Sequence, residues 1–204
     1  SSTESLLAIS FNVSLQKYSG DLAVGAMTIL SSVMQFSSLP LRGLTQGAQP
    51  IISYNFGAYN VKRVKDTFRI LIKSCVCYST VIWLLVLLFP QIFIVAFTSN
   101  AELTDFTIWA LRIYMATYFL MGVQNSCQNT FIAIGNAKTS LFLAVLRKII
   151  LLIPLIYILP HFFENKLMAV FLAEPIADSI AVSTTFCLFY FQFRNAMNEI
   201  SNKK

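Results

Sequence analysis

The 204-residue chain is 56% apolar and only 12% charged, with a mean hydropathy of +0.68, whereas soluble domains average roughly 25% charged residues. That balance excludes a water-soluble globular domain and points to a polytopic membrane protein. The formal charge of +6 would suit a nucleic acid if it were spread over a soluble face, but the bases cluster in short connections. Topology accounts for them, and no nucleic-acid partner is expected.

Taken in order, Leu6 to Leu15 is too short to cross a hydrocarbon core of about 30 Å and reads as the outer part of a helix that begins upstream. Ser1, with no basic flank ahead of an apolar run, does not look like a secretory signal. The expected spans are 1–16 (partial), 22–52, 66–97, 103–134, 140–159 and 167–193, all in a single transmembrane domain. The second is longer than the bilayer requires, which predicts tilt, a kink near Pro40, or extension into water. Pro154 and Pro175 are expected to kink the fifth and sixth spans. Gly57, in the turn Tyr54 to Ala58, is expected to provide a sharp helix exit.

Lys62, Arg63, Lys65, Arg69 and Lys73 crowd into a dozen positions after the second span and mark the cytoplasmic side. Alternate connections then place Lys138 and the tail Arg194 to Lys204 on the same side. The protein is thus expected to be a multi-pass cell-membrane protein with a cytoplasmic C-terminus, surrounded by membrane lipid. The opposite connections hold Lys17, Asp21, Glu102, Asp105, His161, Glu164 and Lys166, where acids balance bases.

Intramembrane charge is the next signal, because an ionisable group in hydrocarbon costs roughly 2.5–3.5 kcal/mol on insertion scales and usually pairs or faces a cavity. Helical rise puts Arg147 roughly 12 Å deep from the inside and Asp178 roughly 16 Å deep from the outside. These depths nearly meet, so an Arg147–Asp178 pair is expected, with Glu174, one turn outward, as the alternative partner for Arg147 or Lys148. The fourth span carries Gln124, Asn125, Gln128 and Asn129 at helical spacing, which puts them on adjoining stripes. Such a stripe either lines a cavity and bonds substrate, or joins helices.

No catalytic set is visible: there is one histidine, no obvious carboxylate pair in a cleft, no phosphate loop and no metal-ligand spacing. The chain is not expected to be an enzyme or to hold a cofactor or metal. Cys75, Cys77, Cys127 and Cys187 lie in apolar stretches and read as reduced packing residues.

The run GLTQGAQPIISYNFGAYNVKRVK at Gly43 to Lys65 resembles the signature that follows the eighth helix of multidrug and toxic compound extrusion (MATE) transporters. Later stretches are similar in order and spacing to the staphylococcal-type multidrug branch: FIAIGNAK at Phe131 to Lys138, LRKIILLIPLIYILP at Leu146 to Pro160, and AEPIAD at Ala173 to Asp178. The resemblance implies an all-α bundle, one six-helix lobe (helices seven, partial, to twelve) of a twelve-helix transporter whose two lobes enclose a central cavity.

It further implies secondary active efflux of cationic or amphipathic drugs by alternating access, coupled to sodium or protons, with an N-terminal lobe as partner. Gln35, Gln46, Gln124, Asn125, Gln128 and Asn129 are the candidates for the substrate cavity. Family members can carry coupling carboxylates in helices one, seven or ten. Here the tenth helix has no acid after Asp105 and the seventh offers Glu4 alone, so the ion stays open. A lipid-linked oligosaccharide flippase of the same superfamily is the alternative function.

Overall fold

Apolar stretches of helical length, separated by turns that hold asparagine, glycine and proline, set the element order. The computed structural model describes residues 2–202, apart from the side chains of Ser2 and Glu4. Nine α-helices are described: α1 (Ser2–Ser19), α2 (Asp21–Gly57), α3 (Val61–Leu88), α4 (Pro90–Ile94), α5 (Ala101–Tyr114), α6 (Met121–Ala133), α7 (Ala137–Val145), α8 (Ile153–Ile158) and α9 (Lys166–Asn202). A π-helical turn, Leu146–Leu152, joins α7 to α8, and single 3-10 turns occupy Tyr118–Leu120 and Leu159–His161. No strand occurs among the described residues.

By length and composition Asp21–Gly57, Val61–Leu88, Ala137–His161 and Lys166–Asn202 can each cross a membrane. The pair Ala101–Tyr114 and Tyr118–Ala133, bent by 46°, meets the same criterion when taken together as one broken span. α2, α3 and α6 pack on one another, α9 lies against α6, α5 and the π turn, and α1 contacts both α2 and α9.

Local chemistry explains most boundaries. Asparagine side chains cap three helices by accepting from a backbone N–H three residues on: Asn60 from Arg63 at α3, Asn100 from Leu103 at α5, and Asn165 from Met168 at α9. Gly135 ends α6 with a φ of 84°, while Asn136 N–H donates to Phe131 O and Gly135 N–H to Ile132 O, which together form a Schellman closure.

The exit from α2 has the same bond pattern with a different residue at the left-handed position. Gly57 stays helical, and Tyr59 takes a φ of 56° while Asn60 N–H donates to Asn55 O and Tyr59 N–H to Phe56 O. This corrects the expectation that Gly57 makes the turn. Two closing hydrogen bonds hold Tyr59 in a conformation that costs an L-residue roughly 1–2 kcal/mol.

Several helices also depart from the expected spans. The third, expected to reach Phe97, stops at Leu88 because Pro90 has no N–H and restricts Phe89, which leaves the helix at φ −131°, ψ 54°. The sixth, expected to end near residue 193, continues as one helix to Asn202, because Met197 and Ile200, three residues apart, are buried against the body. α2 runs through Pro40 as a single helix, and the Tyr78 hydroxyl of α3 donates to Ser37 O at 3.0 Å, one turn from the proline ring. α9 likewise runs through Pro175 as one helix.

The fourth span breaks at residues 115–120, where neither proline nor glycine stands. Two carbonyls at the break are taken up by α3: Trp83 Nε1–H donates to Ala116 O at 2.7 Å and the Ser79 hydroxyl to Phe119 O at 2.9 Å. A bilayer interior tolerates a broken helix only where its neighbours satisfy the freed groups in this way.

α6 then returns so close to α3 that a Cβ on Gly122 would lie 2.5 Å from Cys75 O and 2.7 Å from Ser79 Oγ. Gly122→Ala is therefore expected to cost about 1–3 kcal/mol through forced separation of the two helices. Gly43→Ala, with nothing within 4 Å of its added methyl, is expected to be neutral on the same test. Thermal unfolding of the purified membrane protein in detergent measures both, and equal midpoints for the two variants would remove the close approach as a constraint.

Candidate functional site

α2 is two-faced. Its buried side carries Leu30, Val33, Ser37, Leu41, Thr45 and Ile52. Its exposed side carries Gln35, Leu39, Arg42 and Gln46, at offsets of four, three and four residues, flanked by Gly43 and Gly47. At 3.6 residues per turn these four form one stripe. A stripe with two amides and a guanidinium is poorly matched to lipid tails, and in membrane helices such faces meet protein or a water-filled cavity.

The amides of α6 are disposed differently. Asn125 Nδ2–H donates to Met121 O at 2.9 Å and Asn129 Nδ2–H to Asn125 O at 3.0 Å, so each returns to its own helix. Gln128 Nε2–H reaches Ser140 O of α7 at 3.1 Å and joins two helices. Gln124 is 2% exposed, and neither amide atom has a hydrogen-bond partner. Of these four residues three are half-buried and Gln124 is enclosed, whereas Gln35 and Gln46 are exposed.

The intramembrane charges do meet. Arg147 projects from the π turn, and its Nε–H donates to Asp178 Oδ1 at 2.5 Å while Nη2–H donates to Glu174 Oε1 at 3.1 Å. Both carboxylates come from α9, one turn apart, so a single guanidinium bridges the i and i+4 positions of the neighbouring helix. The side chains are 15% exposed for Arg147, 5% for Glu174 and 4% for Asp178. Glu4, the acid of α1, has its side chain outside the described residues.

α9 can come this close because Ala169, Ala173, Ala177 and Ala181 recur every four residues and are all fully buried. Such a small-residue stripe lets membrane helices pack backbone to backbone. It is visible in the sequence as four alanines at helical spacing, and the sequence reading passed over it. That reading also passed over a polar clamp at the other end of α9. There Gln192 Oε1 accepts from Asn136 Nδ2–H at 2.5 Å and from the Thr139 hydroxyl at 3.1 Å, tying the α6–α7 turn to α9. A lone glutamine inside FYFQF at Phe189 to Phe193 was its signal.

The four cysteines are free thiols, with Cys75 and Cys127 buried and Cys77 and Cys187 exposed. No group of three or more His, Cys, Asp or Glu able to hold a metal exists among the described residues.

Removing Arg147 leaves two carboxylates enclosed without their guanidinium, which costs about 3–5 kcal/mol for a buried pair. Arg147→Met is thus expected to lower the thermal midpoint sharply, and adding Glu174→Gln and Asp178→Asn to it is expected to recover part of the loss. Fluorescence-detected melting in detergent reads this, and a parental midpoint for Arg147→Met would mean the cluster contributes nothing to holding α9.

Comparison with known proteins gives a consistent picture. Residues 1–158 match the family model MatE. Multidrug export protein MepA of Staphylococcus haemolyticus (strain JCSC1435) is 24% identical over 179 residues, covering 87% of this chain and 39% of the relative. MepA of Staphylococcus aureus (strain N315) is 27% identical over 179 residues, covering 88% and 39%. The chain thus spans about two fifths of the length of the curated relatives it matches.

Among solved structures, the MATE multidrug transporter DinF-BH superposes with a TM-score of 0.81 at 34% identity, covering 96% of this chain and 43% of that one. The outward-facing and inward-facing conformations of a multidrug resistance MATE family transporter of the MOP superfamily give TM-scores of 0.87 and 0.88, at 19% and 18% identity, each covering 96% of this chain. They share the fold of one lobe, at 44% and 45% of their own length.

Proposed function

The chain belongs to the MatE family, and on that premise we propose that it is the C-terminal lobe of a secondary multidrug efflux transporter. That transporter exports cationic or amphipathic drugs by alternating access, in exchange for sodium or protons. The observation that carries the reading is the outward stripe Gln35–Leu39–Arg42–Gln46 on a helix of membrane-spanning length. Facing a second lobe, such a stripe supplies the mixture of amide and apolar surface that bulky lipophilic drugs require, while the long stem of Arg42 lets its guanidinium snorkel toward the cytoplasm.

The rest of the lobe supports a rigid half. Its fold is as close to an outward-facing as to an inward-facing relative, as expected where two lobes rock about a fixed site. The bases of the α2–α3 turn and the two lysines that end the sequence support a cytoplasmic C-terminus. The flippase alternative draws no support from the multidrug exporters that the chain resembles. A pyrophosphate would also call for several bases, and α2 contains Arg42 as its one basic residue.

The test uses the chain with its upstream half, expressed in cells stripped of their own pumps, and follows accumulation of a fluorescent lipophilic cation. Accumulation is expected to fall, and the reduction to disappear when either the sodium or the proton gradient is collapsed, which names the ion. Gln46→Ala is expected to change export of one substrate about fivefold relative to another, the factor for one net hydrogen bond of about 1 kcal/mol. Unchanged accumulation with the protein present in the membrane overturns the efflux reading.

A further inference from the structure

Two cavities open at the α2–α3 end of the lobe, and Lys65 lines both. The first, about 300 Å³, lies between α3 and the C-terminal half of α9. Its floor is aromatic: the Phe68 and Phe189 rings stack at 4.6 Å, and those of Phe189 and Phe193 at 4.8 Å. Its outer wall is Phe186 and Tyr190, each 56% exposed, and its mouth carries Lys65 and Arg194. The second, about 520 Å³, is polar and lined by Lys62, Lys65, Arg69, Asp66 and Asn60 among others. Asp66 is already engaged with Arg69 at 3.2 Å, leaving the recess a basic excess.

An apolar groove that shares Lys65 with a basic recess has the polarity of an anion with a hydrocarbon chain. It has the wrong polarity for a lipophilic cation, which the bases at its mouth would repel. None of the residues of the polar α2 stripe lines either cavity. The first turn of α3 points the same way. It carries Lys62 and Arg63 and no acid, so like charge sits at the positive end of the helix dipole, an arrangement that an anion relieves.

We infer that this groove binds one anionic phospholipid, with the phosphate-bearing headgroup held by Lys65 and Arg194 at the mouth of the groove and an acyl chain laid along Phe68, Phe189 and Phe193. Lys62 extends the basic surface on the water side. The lipid bridges the start of α3 and the end of α9 and steadies the part of α9 that extends past the expected span. The inference rests on the membrane-spanning fold and is independent of which drug or ion the protein moves.

The test is native mass spectrometry of the full-length transporter released from detergent with phosphatidylglycerol or phosphatidylcholine of matched chains. One phosphatidylglycerol is expected to be retained in preference to phosphatidylcholine. Each of Lys65→Gln and Arg194→Gln is expected to lower its retention about fivefold, the factor for one base near an anionic surface. Phe186→Ala with Tyr190→Ala, both at exposed positions, is expected to weaken both lipids alike. Lys73→Gln, whose exposed side chain lines neither cavity, is expected to match the parent. Equal retention of the two lipids, an equal loss in Lys73→Gln, or no retained lipid because the other lobe covers the groove would each overturn the inference. Efflux in the same variants is read separately, and parental efflux beside lost lipid leaves the transport reading standing.

Discussion

Inside a bilayer no water is at hand for a backbone group that leaves a helix, so each irregularity has to be met by a donor or acceptor from a neighbouring helix. This lobe is organised by that constraint. α3 is the helix that meets it: within two turns its Tyr78, Ser79 and Trp83 donate to Ser37 O beside the proline of α2 and to Phe119 O and Ala116 O at the break of the fourth span. The close approach of α3 to Gly122 brings the two helices near enough for the bonds to the break. The bend at 115–120 is therefore a property of the pair, held from the α3 side.

The second ordering element is α9. Its alanine stripe allows close packing, and close packing encloses Glu174 and Asp178, which then require Arg147. Arg147 leaves its helix within a π turn, where the widened backbone turn sits at a functional or strained position in many helices. At the other end of α9, Gln192 clamps the α6–α7 turn. Held at Glu174 and Asp178 and again at Gln192, α9 ties the π turn and the α6–α7 turn into one packed unit. The polar stripe of α2 stays outside these ties, on the exposed side of its helix.

The division of polar residues follows the same logic. Gln35 and Gln46 remain on the surface because the opposite side of α2 supplies the core residues Leu30 and Leu41. Asn125, Gln128 and Asn129, by contrast, are absorbed into backbone bonds and an interhelical tie. Amides of one type thus take up surface or structural places according to the face each helix turns outward, which spacing along one helix does not disclose.

Much was determined by the sequence alone. Hydropathy and the paucity of charge dictated a helical membrane bundle, because only chains that bond their own backbone can span lipid. The Gly43 to Lys65 signature pointed to the family, and the matched depths of Arg147 and Asp178 anticipated their meeting, since helical rise is a fixed ruler. The asparagine caps were equally local. Tertiary structure decided the rest: the break in the fourth span where no proline or glycine stands, the left-handed turn at Tyr59 instead of Gly57, the helical continuation to Asn202 and the enclosure of Gln124. Each of these depends on which side chain a neighbouring helix presents at that height, and that is set only when the helices pack.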